Sequence, residues 1–560
     1  MIFEHYPIRF KNHILKVALI VLALLYALLL PVQASAATDL EDIKKAMIEY
    51  LVCSPVDIVS LKQQQPIITQ KSLCLSTIYD GIKDFPLWVG ANGPLENGWI
   101  IVNNLRNSAV HGLNPEKYNI NTILDLLPSQ NAADLARLET LLSYGLVLYI
   151  HDLNHGQLEP RQSNPQLFAE AGSYDFNPLE AVQNSLAADD LDTFLKSLAP
   201  QHDYYKGLQS ALEHYRRLEA DGGWPSVPEG STLRPGDNDP RIKDIWFRLL
   251  KYDWTGLPLQ PAISFYDDAL KAAVLGFQAR HHLEEDGVIG PQTLAAMNVS
   301  VSERIETIRL NMARWQWQSH DLGDKYVIVN IAGFNLKGVK NNEVKLEMPV
   351  IVGKSRHQTP IFSDSIKYLD FNPFWNIPPS IARDEELPHL QKNPFHLVER
   401  NVRLFSGWYE GAVELDSTAV DWHQVTRSQI STFLLRQEPG PWNALGKLKF
   451  VFPNKYSVYM HGTPSQGSFK RRERSFSHGC IRLSDPPALA DFILKDQEEQ
   501  WTDEKIAEIY NQNSRKVIRL SRPVPVHITY QTSWVDKDGT INFNNDTYAR
   551  DAKLRQALNH

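Results

Sequence analysis

The spacing of apolar residues along the chain changes twice and divides the sequence into three parts. In residues 37–238 apolar positions recur every three or four residues, which is the helical period, and the alternation typical of strands is weak. The helix-like segments are 40–52, 133–155 and 191–217. The second of them carries one apolar stripe, formed by Leu135, Leu138, Leu142, Leu146 and Tyr149. We therefore predict a mainly helical scaffold domain with that stripe in its core.

A small helical module is predicted at residues 239–300, after a loop at 222–239 that is rich in Gly, Pro, Ser and Asp. Two amphipathic helices are expected at 242–250 and 269–282. Pro291 suits the first turn of a third short helix, because its fixed φ angle and missing N–H are tolerated there. A helical linker is predicted over 301–324.

Residues 325–530 change character, and we predict that they form a mainly β domain. Runs of β-branched and aromatic residues are bounded by turn residues there. These runs are 326–331, 344–352, 366–372, 448–452 and 456–460. The pattern is lost over 375–445, and an insertion of this length in a β domain is often a functional lid, so we expect it to cap the domain. Residues 531–560 are predicted to be a C-terminal extension. The fold class is multidomain α+β.

The N-terminal segment has the pattern of an export signal. Arg9, Lys11 and Lys16 precede an apolar run at 17–30, and Ala34-Ser35-Ala36 supplies small residues for cleavage. The run is 14 residues long, whereas about 20 residues are needed to span a bilayer. We expect residues 1–36 to be a signal peptide cleaved after Ala36, with an uncleaved signal anchor as the alternative.

Composition and charge narrow the function classes. The 560 residues include 57 Lys and Arg and 65 Asp and Glu, which gives a net charge of −8. The hydrophobic fraction of 43% is ordinary for a globular protein. An acidic balance gives no reason to expect a nucleic-acid partner.

The chain has three cysteines. We expect Cys53 and Cys74 to form a disulfide in an oxidising compartment, with two buried free thiols as the alternative. This leaves Cys480 unpaired, and an unpaired cysteine in an exported protein is a candidate reactive thiol.

The residues that carry chemistry lie between Tyr459 and Arg482. His461 ends a predicted strand 19 residues before Cys480, and the loop between them is long enough to bring both side chains together. An imidazole can take the proton of a thiol nucleophile and later return it to a leaving amine. A backbone carbonyl can fix the tautomer of such a histidine. These residues predict nucleophilic catalysis by a thiol with a histidine as its base.

Groups next to the thiol could complete such a site. Gly479 leaves space beside the nucleophile, and the N–H groups around Gly479 and Cys480 could form an oxyanion hole. Arg482 could pair with a substrate carboxylate in a bidentate fork.

The segment also resembles the signature of the L,D-transpeptidase (YkuD-type) catalytic domain, namely His461-Gly462, a spacer, and Ser477-His478-Gly479-Cys480-Ile481-Arg482. Four upstream segments run in the order of that family: 349–354, 359–362, 372–379 and 439–446. Residues 239–300 are similar to peptidoglycan-binding modules. The positions that match such a module are Ala273, Val274, Phe277, Gln278, Leu283, the 286–290 turn, Thr293 and Asn298. The whole layout resembles the large periplasmic YcbB-type members of the family.

The resemblance implies a concrete set of roles. Cys480 would be the nucleophile, His461 the base, and Gly462 the carbonyl that orients His461. The donor site would be lined by Tyr459, Ser477, His478, Gly479 and Arg482. Cys480 would attack a tetrapeptide stem, release D-alanine and pass the acyl group to a diaminopimelate amine, which makes a 3→3 crosslink. Carbapenems would be expected to acylate Cys480. Neither zinc nor a nucleotide cofactor is implied.

Other readings of the same residues stay open at this point. Water as acceptor would make the protein an L,D-carboxypeptidase, and a lysine side chain would make it an enzyme that anchors proteins to the wall. A zinc peptidase using His461, His478 and Cys480 lacks an accompanying helical His-Glu-x-x-His motif. A non-catalytic wall scaffold would not need Cys480, His461 and Arg482. Peptidoglycan is the expected partner, with wall synthases or carboxypeptidases as further candidates, in the periplasm or anchored to the inner membrane.

Overall fold

The structure is a computed structural model that describes residues 39–51, 75–82, 85–158, 176–252, 264–498, 501–512 and 514–558. The predicted signal segment, Cys53 and Cys74 lie outside these residues. The chain divides into two compact units. Of the described residues, those within 39–106, 115–148 and 177–192 belong to the first unit, and those within 107–114, 149–158, 176 and 193–558 belong to the second. No helix of the described ranges is both long and apolar enough to span a bilayer.

The mainly helical character predicted for residues 37–238 is confirmed for the residues that the structure describes. Its helices in chain order are α1 (Leu40–Leu51), α2 (Leu75–Asp80), α3 (Glu96–Arg106), α4 (Ile120–Leu126), α5 (Ala132–His155), α6 (Pro178–Ala187), α7 (Leu191–Ser197) and α8 (Asp203–Ala220). Two short strands also occur, β1 (Val89–Gly90) and β2 (Gly93–Pro94). The predicted apolar stripe of α5 is buried throughout. Glu139 lies in the same core and accepts hydrogen bonds from the N–H groups of Leu87 and Trp88.

The small module has the three predicted helices, α9 (Ile242–Tyr252), α10 (Asp268–Arg280) and α11 (Pro291–Met297). Pro291 occupies the first turn of α11, as expected. The module has its own apolar core, which includes Trp246, Leu270, Phe277 and Met297. The side chain of Gln278 fastens the turn that follows α10, because it donates to Val288 O and accepts from Gly287 N.

The expected linker helix is present as α12 (Val301–Gln316), but it is a core element. A capping box at Ser300 and Glu303 starts it. Eleven of its residues are buried, including Arg304, Asn311 and Arg314. A segment whose polar side chains are so largely enclosed belongs to a folded unit, and its role as a linker between the small module and the β domain stays a prediction.

The third part is mainly β, as predicted. Its strands are β3 (Lys325–Asn330), β4 (Asn335–Lys340), β5 (Glu343–Gly353), β6 (Phe362–Phe371), β7 (Trp375–Asn376), β8 (Val402–Phe405), β9 (Glu414–Leu415), β10 (Leu434–Gln437), β11 (Leu448–Val451), β12 (Met460–His461), β13 (Ser475–Ser477), β14 (Ile481–Leu483), β15 (Lys516–Thr529), β16 (Ser533–Val535) and β17 (Ile541–Phe543). Nine of them form one sheet in the order β13-β5-β14-β12-β11-β6-β15-β3-β4. The long strand β5 also pairs with β4, so the last strand of that order contacts the second.

Two strands differ from the expectation. The run at 456–460 forms a strand only at its end, because the side chain of Asn454 holds the preceding residues in a turn by bonding Phe452 O, Val458 O and Val458 N. The 14-residue strand β15 escaped prediction because it contains Pro523 and Pro525, which argue against a strand. Pro523 lies in a break in register between Arg519 and Val524, whereas Pro525 lies opposite Ser365 in the paired segment that follows.

The insertion between β6 and β11 folds around a core of its own. A separate four-stranded sheet has the order β7-β10-β8-β9. Short helices accompany it, namely α13 (Pro379–Ile381), a π-helical turn (Ala382–Glu386), α14 (Leu387–Leu390), α15 (His396–Glu399) and α16 (Arg427–Ile430). Ile377, Leu397, Trp422 and Leu435 are among its buried core residues. At its base, Asn443 donates to Pro373 O and Glu438 O at 3.0 and 3.1 Å.

The segment expected to be an extension is folded into the second unit. After α17 (Pro486–Leu494), α18 (Asp503–Asn511) and β15, the hairpin β16–β17 is followed by α19 (Arg550–Leu558). Asp551 of α19 forms a buried ion pair with Arg314 of α12 and accepts a hydrogen bond from Thr532 Oγ1 at 2.8 Å. The C-terminal helix is therefore tied to the centre of this unit.

The Asp551→Asn substitution should destabilise the second unit by about 3 kcal/mol, because it leaves the Arg314 guanidinium buried without its counter-charge. The measurement is scanning calorimetry of the wild-type and variant proteins. The control is Glu213→Gln, which removes an exposed ion pair with Arg217 on α8 and should change stability by less than about 0.5 kcal/mol. Equal effects of the two substitutions would contradict the structural importance of α19.

Candidate active site

Two short parallel strands bring the predicted site residues together. β12 pairs with β14, with Met460 opposite Ile481 and His461 opposite Arg482. Met460 and Ile481 are fully buried on the core side. Because neighbouring residues of a strand point to opposite faces, the residues that alternate with them face the other way. These residues are Tyr459 and His461 on one chain segment and Cys480 and Arg482 on the other.

That face opens on a cavity of about 830 Å³. Six of the eight residues predicted from sequence line it, namely Tyr459, His461, Ser477, His478, Cys480 and Arg482. Gly462 and Gly479 do not line the cavity, and both act through their backbone. The insertion supplies the opposite wall, which includes Trp375, Asn376, Glu385, Glu386, His389, His396, Arg400 and Trp408.

His461 is a buried, neutral imidazole. Its Nδ1 lies 2.5 Å from Gly462 O, and a carbonyl only accepts, so Nδ1 carries the proton and Nε2 is the acceptor. Burial lowers the pKa of His461 to about 3, and the nearby charges of Arg482 and Lys449 act in the same direction. The Gly462 carbonyl opposes this shift. The ring is therefore uncharged over the whole physiological range.

Cys480 is half-buried at the end of the loop before β14. Burial raises the pKa of its thiol. The backbone N–H of Tyr459, the ammonium of Lys449, the Tyr459 hydroxyl and the charge of Arg482 oppose this effect, because each of them favours the thiolate. The resting thiol therefore keeps its proton but is surrounded by groups that would stabilise the anion.

Lys449 was missed in the sequence. It lies on β11 directly opposite His461, and its Nζ is 3.8 Å from the centre of the Tyr459 ring. Its neighbours Leu448 and Phe450 are fully buried on the other face. The alternation of one lysine between two core residues was visible in the sequence, but it did not reveal which strand lies beside β12.

The turn that carries the thiol has a defined hydrogen-bond pattern. Ser477 Oγ donates to Cys480 O at 2.5 Å and accepts from Gly479 N at 3.1 Å. Thr359 Oγ1 donates to Gly479 O at 2.9 Å. Sequence reasoning expected the N–H of Gly479 to face a substrate, but that group is bound to Ser477. Gly479 has a φ of 112°, so a glycine is required there for its conformation.

His478 belongs to a different set of contacts. Its Nε2 lies 2.5 Å from Glu385 Oε1 of the insertion and 3.0 Å from Lys354 Nζ. Its ring centre is 5.0 Å from that of His357. His478 therefore joins the nucleophile turn to the insertion.

Arg482 lines the cavity and carries one buried nitrogen without a partner. Its Nε atom is buried and has no hydrogen-bond partner among the described residues. Burial lowers its pKa, while Cys480 and Glu385 oppose the shift. Arg482 therefore places a guanidinium, a group that can pair with carboxylates, in the wall of the cavity.

The insertion wall carries polar groups that sequence reasoning did not single out. Glu386 is 2% exposed and accepts from Arg400 Nη1 at 2.6 Å, and its other oxygen lies 2.9 Å from His396 Nε2.

Tryptophans of this insertion divide between two environments: Trp375 and Trp422 are buried, whereas Trp408 and Trp442 are 48% and 46% exposed. In the described part of the chain, no group of three or more His, Cys, Asp or Glu side chains is placed to hold a metal ion.

Three segments of the chain match known protein families. Residues 324–524 match the family of the L,D-transpeptidase catalytic domain (YkuD). Residues 74–212 match a scaffold domain, and residues 238–297 match the family described as "Putative peptidoglycan binding domain". A protein of Haemophilus influenzae named "Putative L,D-transpeptidase" is 28% identical over 231 residues. This match covers 41% of the chain and 45% of that relative, so the chain spans less than half of the relative's length.

Similar solved structures include an L,D-transpeptidase from Mycobacterium smegmatis, with 14% identity, a TM-score of 0.18, and coverage of 37% of this chain and 58% of that one. Another is an L,D-transpeptidase (Yku) from Stackebrandtia nassauensis, with 12% identity, a TM-score of 0.21, and coverage of 54% and 96%. The assignment rests on the sequence matches. This chain therefore contains a YkuD-type L,D-transpeptidase catalytic domain together with a peptidoglycan-binding domain.

Proposed function

We propose that the protein is a cysteine L,D-transpeptidase that forms 3→3 crosslinks between diaminopimelate residues of peptidoglycan and releases D-alanine from a tetrapeptide donor. One observation carries the proposal. Within the residues that match the catalytic family, Cys480, the neutral His461 and Arg482 line one cavity. A thiol, a base and an anion-binding group are what acyl transfer on a stem peptide requires.

Acylation begins with both groups uncharged. As Sγ of Cys480 bonds to the carbonyl carbon of the third stem residue, the thiol proton passes to His461 Nε2. Lys449 and the Tyr459 hydroxyl stabilise the charge that develops on sulfur during this transfer. The carbonyl oxygen becomes an oxyanion, and the N–H of Cys480 is the donor left for it once Gly479 N is bound to Ser477. The C–N bond then breaks, and the amine of D-alanine leaves with the proton from His461.

Deacylation repeats the sequence with an acceptor amine. The amine nitrogen attacks the thioester carbon, His461 takes the proton, and the thiolate leaves and is reprotonated. Arg482 would hold a stem carboxylate in a bidentate contact during both steps. The acceptor amine must be neutral to attack. With water as acceptor the same chemistry would give hydrolysis, and with a lysine side chain it would attach a protein.

The peptidoglycan-binding domain and the catalytic domain both point to the wall polymer as substrate. We infer that the protein is exported and acts in the periplasm, where its substrate lies. The proposed export signal at residues 1–36 agrees with this location.

The Lys449→Met substitution should raise the pKa of Cys480, because the ammonium that favours the thiolate is removed. The rate of alkylation by iodoacetamide at pH 8 should fall severalfold, and its pH midpoint should move upward. Lys447→Met is the matched control, since Lys447 lies over the ring of Tyr510. A midpoint that is equal in both variants would contradict the role given to Lys449.

The pH dependence of D-alanine release tests the state of His461. Because its pKa is lowered to about 3, the imidazole stays neutral as pH falls through the ordinary histidine range. We expect kcat/KM for D-alanine release to be flat between about pH 5 and 8. A drop with a midpoint near 6.5, the ordinary histidine pKa, would show that His461 titrates normally.

The proposed reaction is tested with disaccharide-tetrapeptide and the exported part of the protein, followed by mass spectrometry. We expect release of D-alanine and a dimer linked through two diaminopimelates, with both products absent in Cys480→Ala. Tripeptide without dimer would instead indicate a carboxypeptidase. Products that persist in Cys480→Ala would exclude Cys480 as nucleophile.

A further inference from the structure

The loop at residues 353–359 lies against the turn that carries Cys480. Thr359 is fully buried, and its Oγ1 donates to Gly479 O and accepts from Gly353 N, both at 2.9 Å. Gly353 leaves no room for a side chain, because a Cβ there would lie 2.0 Å from His357 O. The loop therefore packs tightly on itself, and one hydroxyl links it to the nucleophile turn.

The Gly479 carbonyl that Thr359 binds is covalently linked to the proposed oxyanion donor, the N–H of Cys480. The C=O of Gly479 and the N–H of Cys480 belong to the same planar peptide group. Rotation of this group turns both of them together. Glycine has more accessible backbone conformations than other residues, so Gly479 itself does little to prevent such a rotation. The hydrogen bond from Thr359 thus sets the direction of the Cys480 N–H.

Two residues of the C-terminal segment hold this loop from the other side. The Tyr548 hydroxyl donates to Gly353 O and lies 3.4 Å from Thr359 N as acceptor. Arg550 Nη2 donates to Thr359 O at 3.0 Å and to Gln358 Oε1 at 3.1 Å. Tyr548 and Arg550 are each only 4% exposed.

The two side chains are themselves fixed. The Arg550 guanidinium lies 4.6 and 4.7 Å from the ring centres of Tyr530 and Tyr548, which are cation–π distances. The backbone N–H of Tyr548 donates to the Tyr530 hydroxyl at 2.9 Å, and that hydroxyl donates to Asp546 Oδ1 at 2.6 Å. These contacts restrain Tyr548 and Arg550 where they meet the loop.

We propose that Tyr548 and Arg550 are positioning residues for acyl transfer, acting through Thr359 on the peptide between Gly479 and Cys480. Both residues lie outside the segment 324–524 that matches the catalytic family. The proposal rests on the proposed role of Cys480 as nucleophile. Its consequence is that a loosened loop weakens oxyanion stabilisation but leaves the thiol itself intact.

Two reagents separate these effects. A carbapenem acylates the thiol through a tetrahedral intermediate and needs the oxyanion donor, whereas iodoacetamide alkylates by displacement and does not. We expect Tyr548→Phe, in the full exported chain, to lower the acylation rate about tenfold while the alkylation rate stays within twofold. With tetrapeptide donor, kcat for D-alanine release should fall by a similar factor and KM should stay within twofold.

Tyr266→Phe is the matched control. Tyr266 is equally buried, and its hydroxyl also donates to a glycine carbonyl, Gly287 O at 2.7 Å in the peptidoglycan-binding domain. The Tyr266→Phe variant should lose about as much stability as Tyr548→Phe. Its ratio of acylation rate to alkylation rate should stay at the wild-type value. As a second pair, Thr359→Val should lower that ratio, and Thr359→Ser, which keeps the hydroxyl, should restore it.

Either of two results would overturn the proposal: the same ratio for Tyr548→Phe and Tyr266→Phe, or an equal fall of both rates in Tyr548→Phe. Failure of the proposed function gives a different result. The wild-type protein would then react with carbapenem and iodoacetamide but release no D-alanine, and the two tyrosine variants would still be compared by their acylation rates.

Discussion

The candidate site depends on the pairing of two very short strands, Met460–His461 and Ile481–Leu483. Their side-chain alternation sends Met460 and Ile481 into the core and turns His461, Cys480 and Arg482 toward the cavity. Two or three residues make few hydrogen bonds of their own. The pairing is stable because β11 and β5 flank it within a larger sheet. The positions of these three side chains are therefore set by the sheet and not by the local sequence motif.

Burial sets the electrostatics of the site. It moves the pKa of the thiol up and that of the imidazole down, so the resting pair is uncharged. The cations Lys449 and Arg482 deepen the shift of His461 and oppose the shift of Cys480. In the proposed reaction the thiol would stay protonated at rest, and its proton would pass to the imidazole as the sulfur attacks the acyl carbon.

The site also depends on two segments that lie apart from the signature residues. The insertion supplies one wall of the cavity and reaches the nucleophile turn through Glu385 and His478. The C-terminal segment supports the turn from below through Tyr548, Arg550 and Thr359. Asp551 joins this segment to Arg314 of α12, the helix that follows the peptidoglycan-binding domain. These contacts connect the turn that carries Cys480 to elements well separated from it in sequence.

The sequence by itself determined the local features. Periodicity located the helices of the scaffold and the small module, and residue type and order identified Cys480, His461 and Arg482 as candidates, because such signals act over a few residues. Lys449, Glu386, Tyr548 and Arg550 could not be found in this way. Their roles depend on which strands and loops become neighbours, and contacts between residues as distant as 353 and 548 leave no local pattern. The tertiary structure alone decided that α12 and the C-terminal segment are core elements, since burial is decided by packing between distant segments.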